Sequence, residues 1–198
     1  MVRTPTFEAR FDLRRFARDL VHRRWRHRQF VGILFLVLLV AFAEPWRAPY
    51  LFWPGAALAG LGILVRLWAS GHVKKDRVLA TTGPYAFVRH PLYVGNELIL
   101  VGFCMASGLW WSVLGWAAIS FLFYPPAIAH EDQVLHNLFG RDWEEWRAVT
   151  RALIPRLAPY GGRVGGEWSF AQSLRANGEP LIAAVLVGFL YLIWLRLV

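Results

Sequence analysis

A long charge-free stretch limits the folds open to this chain. No charged residue occurs from Leu98 to Ala129, and a Ser-Gly pair at 107–108 divides the stretch in two. Each half is apolar enough and long enough to form a helix in a bilayer, whereas a small soluble core has no room for both. The sequence therefore predicts a membrane-embedded helical hairpin, with helices at Leu92–Ser107 and Leu109–Ala129.

Three more apolar segments accompany the hairpin, at residues 29–43, 50–70 and 180–198. The composition is 57% hydrophobic and includes eleven tryptophans among 198 residues. These features predict an all-α fold, a polytopic integral-membrane helical bundle of about five transmembrane helices. Small residues in the second segment should let a neighbouring helix approach closely. They are Gly55, Ala56, Ala59, Gly60 and Gly62.

Residues 1–28 contain nine arginines, and apolar residues recur among them at helical spacing. This pattern predicts a basic amphipathic helix on the cytoplasmic leaflet, although a disordered basic tail has a similar composition. Ala41-Phe42-Ala43 resembles a signal-peptidase site. The long preceding region with Glu8, Asp12 and Asp19 does not resemble a signal peptide, so we predict that the first helix is retained.

The formal net charge is +9, and the basic residues cluster beside the apolar segments. Membrane lipids with anionic headgroups are therefore the predicted partner, and nucleic acid is not. Lysine and arginine are concentrated in the N-terminal segment, around residues 72–95 and after the hairpin, whereas Arg47 stands alone in the first external turn. By the positive-inside rule we predict a cytoplasmic N-terminus, in an integral protein of a bacterial inner membrane.

The sequence GPYAFVRHPLYVG, at residues 83–95, precedes the charge-free stretch and has the character of a binding loop. Pro91 predicts that a helix begins near Leu92. Arg89 and His90 then lie just before a helix N-terminus, where unpaired backbone N–H groups and a guanidinium suit a carboxylate or phosphate. An ordinary basic loop that obeys the positive-inside rule would contain the same residues.

A second polar motif, His130-Glu131-Asp132, follows the hairpin, which should fold it back beside the first. From Arg66 to Pro155 the chain resembles the integral-membrane methyltransferases, a superfamily that includes isoprenylcysteine carboxyl methyltransferases and phospholipid N-methyltransferases. The resemblance rests on both motifs and on Leu135, Phe139-Gly140, Trp143, Trp146 and Ile154-Pro155. The chain departs from the superfamily where Asp132 replaces a second Glu, where Trp143 and Trp146 replace Tyr, and where Thr82 replaces the His of some relatives.

The resemblance implies methyl transfer from S-adenosyl-L-methionine, at a cytoplasm-facing site, to a lipophilic small-molecule or lipidated acceptor. The implied catalytic residues are Arg89 and Glu131, and no metal site is predicted. Glu131 and Asp132 suit the amino group of the cofactor, whereas Arg89 suits either its carboxylate or an acceptor carboxylate. The implied cofactor-binding residues are Tyr85, Arg89, His90, Pro91, Tyr93, Gly95, Glu131 and Asp132.

Three alternatives to an isoprenylcysteine-type carboxyl methyltransferase remain open. A phospholipid (ethanolamine) N-methyltransferase would need a base for the amine proton, for which His90 or Glu131 is a candidate. A sterol-type NADPH reductase has a similar RHPNY motif, but Leu92 stands here in place of Asn. A non-catalytic membrane scaffold could keep the same fold.

Four domain segments are predicted. These are a basic interfacial segment at 1–28, a methyltransferase core at 29–155, a Gly-rich cytoplasmic linker at 156–179 and a C-terminal transmembrane helix at 180–198. Within the core, Arg66 either extends its charge to the membrane surface or pairs with Glu97.

Overall fold

The computed structural model describes residues 25–72, 78–162, 166 and 168–198, and the regular elements within these ranges are helices. This confirms the all-α prediction. The predicted interfacial helix lies almost entirely outside the described residues. The α-helices are α1 (Trp25–Phe42), α2 (Phe52–His72), α3 (Pro91–Ser107), α4 (Ser112–Phe139), α5 (Arg141–Val149), α6 (Phe170–Asn177) and α7 (Glu179–Trp194).

Two of the described helices are long and apolar enough to cross a bilayer. They are α2 with the turn before it (Pro49–His72) and α4. The apolar part of α1 (Phe30–Phe42), α3 and α7 are shorter apolar helices. Large apolar side chains point outward from these helices, including Phe30, Leu64, Phe121 and Leu181, as a lipid environment allows.

Two turns and the C-terminus meet at one end of the bundle, here called the distal end. The α1–α2 connection contains the 3₁₀ turns Pro45–Arg47 and Pro49–Leu51, and the N–H of Glu44 donates to the carbonyl of Ser107 (2.7 Å). Arg196, just after α7, donates from Nη1 to the carbonyl of Ala41 (3.0 Å). The start of α3 lies at the opposite end, here called the site end.

Helices α2 and α3 pack through glycines. A Cβ atom on Gly102 would lie 2.5 Å from the backbone N of Ala59, and one on Gly62 would lie 2.6 Å from the carbonyl O of Gly95. The small-residue prediction is thus confirmed for Ala59 and Gly62, whereas a Cβ on Gly60 would meet open space. The core beside this contact joins α1, α3 and α7 through fully buried Leu39, Phe103 and Ile193.

The predicted pairing of Arg66 with Glu97 is wrong. Arg66 forms a two-pronged ion pair with Glu179, with Nη2 2.5 Å from Oε1 and Nε 3.0 Å from Oε2. Glu97 instead accepts hydrogen bonds from Trp116 Nε1 (2.7 Å) and Ser120 Oγ (3.0 Å). The reason is tertiary: α7 begins against the side of α2, a contact between residues 113 positions apart in the sequence.

The segment predicted as a linker contains a packed helix, α6. Ser169 caps this helix by accepting from the N–H of Gln172 (3.3 Å). Buried Ser173 meets Ser70 of α2, with 2.6 Å between the two hydroxyl oxygens. Trp168 Nε1 also donates to the carbonyl of Leu67 (3.3 Å). Helix α6 therefore rests on the site end of α2.

Helix α4 continues beyond the predicted hairpin. Pro125 and Pro126 lie inside it, and it extends to Phe139 without interruption. Gly140, at φ +49°, lies between the end of α4 and the start of α5. The sole cysteine, Cys104, is buried on α3, and its thiol points to the carbonyl O of Ser112 (3.5 Å).

Candidate active site

The first site motif ends where α3 begins. Pro91 is the first residue of the helix and His90 lies just before it, as the sequence predicts. The tight turn Gly83–Ala86 precedes this start, with Gly83 at φ +58° against the ring of His72. Because proline supplies no N–H and a fixed φ, it suits the first position, and the residues before it leave the helix axis.

Arg89 connects this start to the second motif. Its Nη2 donates to Asp132 Oδ2 (3.0 Å), and its Nη1 donates to the carbonyl of Thr150 (3.0 Å). Burial lowers the pKa of the guanidinium, as does the charge of Arg147, while Asp132 opposes the shift. The Nε atom of Arg89 is buried and has no hydrogen-bond partner within the part of the chain that the structure describes.

His90 lies between the two acids. Its Nε2 is 3.0 Å from Asp132 Oδ1, and its Nδ1 is 3.8 Å from Glu131 Oε2. The ring is buried and packs edge-on against Tyr93, with 5.8 Å between centroids. Both oxygens of Asp132 are therefore engaged by Arg89 and His90, whereas the side chain of Glu131 is 39% exposed.

A segment after α5 fixes the backbone of the first motif. The N–H of Arg89 donates to the carbonyl of Arg151 (2.9 Å), and the N–H of His90 donates to that of Ala152 (3.1 Å). The N–H of Arg156 donates back to Phe87 (2.9 Å). These bonds satisfy buried backbone groups that precede α3. Residues 151–156 are a part of the site that the sequence analysis missed, and the Ile154-Pro155 match was its one signal.

Tyr85 lies beneath the cluster in a small aromatic core. Its carbonyl accepts from Trp146 Nε1 (3.3 Å), and the residue packs with Ala69 and Trp143. Burial raises the pKa of the Tyr85 phenol, and the charge of Glu131 raises it further. The phenol therefore remains protonated at neutral pH and can act as a hydrogen-bond donor.

A cleft of about 440 Å³ opens beside this core, and it is lined by Val78, Leu79, Thr81, Phe139, Asp142, Glu145 and Tyr160. Phe139 follows Glu131 by eight residues on α4, which separates the two residues by about 12 Å along the helix axis and about 80° around it. The cleft therefore begins about two helical turns beyond the acidic end of the cluster.

Known proteins match this part of the chain. A family model for phospholipid methyltransferase matches residues 52–142. The protein-S-isoprenylcysteine O-methyltransferase of Schizosaccharomyces pombe is 36% identical over 83 residues, which cover 42% of this chain and 35% of that protein.

The matched part of the chain, residues 52–142, belongs to the isoprenylcysteine and phospholipid methyltransferase superfamily.

Two bacterial resistance proteins are also similar to this chain. The cobalt-zinc-cadmium resistance protein CzcN of Cupriavidus metallidurans is 36% identical over 121 residues, 59% of this chain and 55% of CzcN. The nickel-cobalt-cadmium resistance protein NccN of Alcaligenes xylosoxydans xylosoxydans is 32% identical over 148 residues, 69% of this chain and 66% of NccN. The chain thus spans between about a third and two thirds of these relatives. No solved structure matches it.

The structure brings together some of the predicted site residues. Arg89, His90, Glu131 and Asp132 form one cluster, with Tyr93 against the ring of His90. Pro91 is buried as the first residue of α3.

Gly95 faces α2, where a Cβ would lie 2.5 Å from Arg66 Cγ, so its small size serves helix packing in this position. Among the described residues, no group of three or more His, Cys, Asp or Glu side chains could hold a metal ion.

Proposed function

We propose that this protein transfers a methyl group from S-adenosyl-L-methionine to a lipophilic acceptor at a membrane. The observation that carries the proposal is the cluster of Arg89, His90, Glu131 and Asp132, which two separated motifs build at one end of an apolar helical bundle. The methyltransferase superfamily supports the reaction type.

The residues present fit the cofactor. Glu131 offers a half-exposed carboxylate for a cationic group, and the buried Nε–H of Arg89 is available for a hydrogen bond. The cleft has the volume of a small-ligand site, with aromatic walls from Phe139 and Tyr160 for a nucleobase and a carboxylate from Asp142 for ribose hydroxyls. When bound, S-adenosylmethionine supplies a methyl group activated on a sulfonium.

Methyl transfer from a sulfonium is an in-line displacement, so the protein needs alignment and a dry site more than a nucleophile. Asp132 holds Arg89 and His90 in place from α4. Glu131 is the acid left to meet a ligand. A carboxylate acceptor is nucleophilic without a base, whereas an amine must lose a proton, which His90 beside Glu131 can accept.

We also propose that α1, α2, α3, α4 and α7 span the bilayer and that the site end is cytoplasmic, as at a bacterial inner membrane. The two turns and the C-terminus at the distal end support five passes. The positive-inside rule supports the orientation, because Arg89, Arg141, Arg151 and Arg156 belong to the site end.

Ligand-dependent thermal stability tests the function. In the purified full chain, we expect S-adenosylhomocysteine to raise the Tm and NADPH to leave it unchanged. Stabilisation by NADPH instead would indicate a reductase, and stabilisation by neither would indicate a scaffold, and both outcomes contradict the proposal.

Isotope-labelled S-adenosylmethionine, incubated with extracted membrane lipids, should then label a lipid-soluble product. Glu131→Gln should abolish most labelling. Glu44→Gln, a matched change at the distal end, should leave it intact. Relatives with acceptors of the isoprenylcysteine type make a prenylated cysteine carboxylate the first acceptor to supply, and an ethanolamine phospholipid the second.

A further inference from the structure

A buried ion pair lies outside the cluster just described. Glu179, the first residue of α7, is 4% exposed, and both of its oxygens accept from Arg66 of α2. The third nitrogen of Arg66, Nη1, donates to Asn96 Oδ1 of α3. One arginine thus joins three helices with every nitrogen engaged.

Stability alone gives little reason for such a pair. Desolvation of two charges offsets much of their attraction, and apolar residues of similar volume often stabilise a buried position equally well. Glu179 also lies beyond residues 52–142, the part of the chain that the methyltransferase family model matches. The helix that supplies the carboxylate is therefore an addition to the matched core.

Arg66 touches the helix that carries the site. A Cβ atom on Gly95 would lie 2.5 Å from Cγ of Arg66. The guanidinium of Arg66 donates to the side chain of the neighbouring Asn96. Gly95 and Asn96 form the second turn of α3, whose first residue directly follows His90. The place of Arg66 therefore sets the place of the turn that supports His90 and Tyr93.

The same pair adjoins the aromatic core under the site. Burial raises the pKa of the Tyr85 phenol, the charges of Glu131 and Glu179 raise it further, and the charge of Arg66 lowers it. With Glu179 removed, Arg66 would keep its charge and would be free to turn toward another carboxylate.

We propose that Glu179 is a positioning residue for methyl transfer. It holds Arg66 against Gly95 and Asn96, and thereby fixes the start of α3 for the acceptor. This inference rests on the proposed function. It assigns to α7, in addition to any anchoring role, a part in catalysis.

Steady-state kinetics on Glu179→Gln tests the inference. We expect kcat/KM for the acceptor to fall at least about tenfold, since small misplacements of aligned groups have effects of this size. The Kd for S-adenosylhomocysteine should remain within about twofold, because Glu131 and the cleft are untouched. Leu181→Ala, an exposed position in the first turn of the same helix, is the matched control and should behave as wild type.

A double-mutant cycle with Arg66→Gln identifies the route. If Glu179 acts through Arg66, the two single changes and the double change should reduce kcat/KM by similar factors, well short of the product of the single effects. Independent, multiplicative effects would overturn the route. If Glu179→Gln fails to fold, Glu179→Asp replaces it in the same double-mutant cycle, because this change keeps the charge but shortens the side chain.

Two other results have distinct meanings. A lower Tm with unchanged kinetic constants per folded molecule would make the pair purely structural and would overturn the inference. A wild-type protein that neither binds S-adenosylhomocysteine nor labels any lipid would overturn the proposed function itself. If the wild type is active and Glu179→Gln has the same kinetic constants as Leu181→Ala, only the proposed role of Glu179 is overturned.

Discussion

Two neighbouring acids on α4 have different surroundings. Asp132 engages Arg89 and His90 with its two oxygens, whereas Glu131 is 39% exposed and lies 3.8 Å from His90. Successive residues of a helix point in directions about 100° apart, so adjacent carboxylates need not share a function. We therefore interpret Asp132 as the residue that organises the cluster and Glu131 as the residue that meets the ligand.

Replacing Glu131 by Gln should weaken cofactor binding and leave folding unchanged. The substitution keeps the size of the side chain and removes its charge, and a hydrogen bond to a charged group contributes about 1.5–3 kcal/mol. We expect the Kd for S-adenosylhomocysteine, measured by calorimetry, to rise at least about tenfold. Wild-type affinity would mean that a neutral hydrogen bond is sufficient at this position.

Arg89→Lys should impair both stability and turnover. Arg89 uses two nitrogens in different directions, toward Asp132 and the carbonyl of Thr150, and one ammonium group cannot reproduce that planar fork. We expect a loss of about 1–3 kcal/mol in unfolding free energy, together with a lower kcat.

The effect of Arg89→Lys on cofactor affinity separates two roles. Weaker binding would place the guanidinium on the cofactor, and unchanged binding with lower turnover would place it near the acceptor. Wild-type stability and kinetics in the Lys variant would contradict any role for Arg89 beyond its charge.

For the site residues, the sequence predicts which side chains lie near each other better than it predicts their individual hydrogen bonds. The hairpin pattern places Arg89 and His90 near the acids because its two helices return the chain to the same end. It does not predict that Arg89 is held by the carbonyl of Thr150, since every residue has a carbonyl and side-chain identity carries no signal for it.

Among the elements, α2 and α3 pack closely enough that their contact is sensitive to side-chain size. Gly102→Ala should destabilise the protein by about 1–3 kcal/mol, because the added Cβ would lie 2.5 Å from the backbone N of Ala59. Gly60→Ala, on the open side of α2, is the matched control and should be neutral or stabilising by up to about 1 kcal/mol. Thermal unfolding in one detergent compares them, and equal Tm values would contradict the close contact.

The sequence predicts the long helices because each leaves a local apolar pattern. The start of α3 at Pro91 and the break at Gly140 follow from proline and glycine chemistry. Helix α6 escapes prediction because it has only eight residues and follows a Gly-rich segment, and because contacts with α2, such as Ser173 on Ser70, hold it in place. The ion pair of Arg66 with Glu179 is not predicted either, because a contact between residues far apart in the chain produces no local sequence pattern.

For the whole molecule we predict a retained first helix, a cytoplasmic N-terminus and an external C-terminus. The five proposed membrane passes and the nine arginines within residues 1–28 lead to this arrangement. Intact-mass measurement of the membrane-extracted protein should show residues 1–43 present. Reporter fusions should be active in the cytoplasm at the N-terminus and outside it at the C-terminus.

Loss of residues 1–43 would mean that Ala41-Phe42-Ala43 is cleaved, and a cytoplasmic C-terminus would mean an even number of passes. Either result would contradict the five-helix topology. Glu44, at the distal end, offers an internal position for the same fusion test as a check on the first turn.

The position of Cys104 has a practical consequence. It is the sole cysteine in the sequence, and its thiol is buried between α3 and the start of α4. A buried thiol in apolar surroundings reacts slowly with bulky, water-soluble maleimides. The native chain should therefore give little background signal in site-specific labelling. Single cysteines introduced on the surface can carry fluorophores or spin labels while Cys104 stays in place.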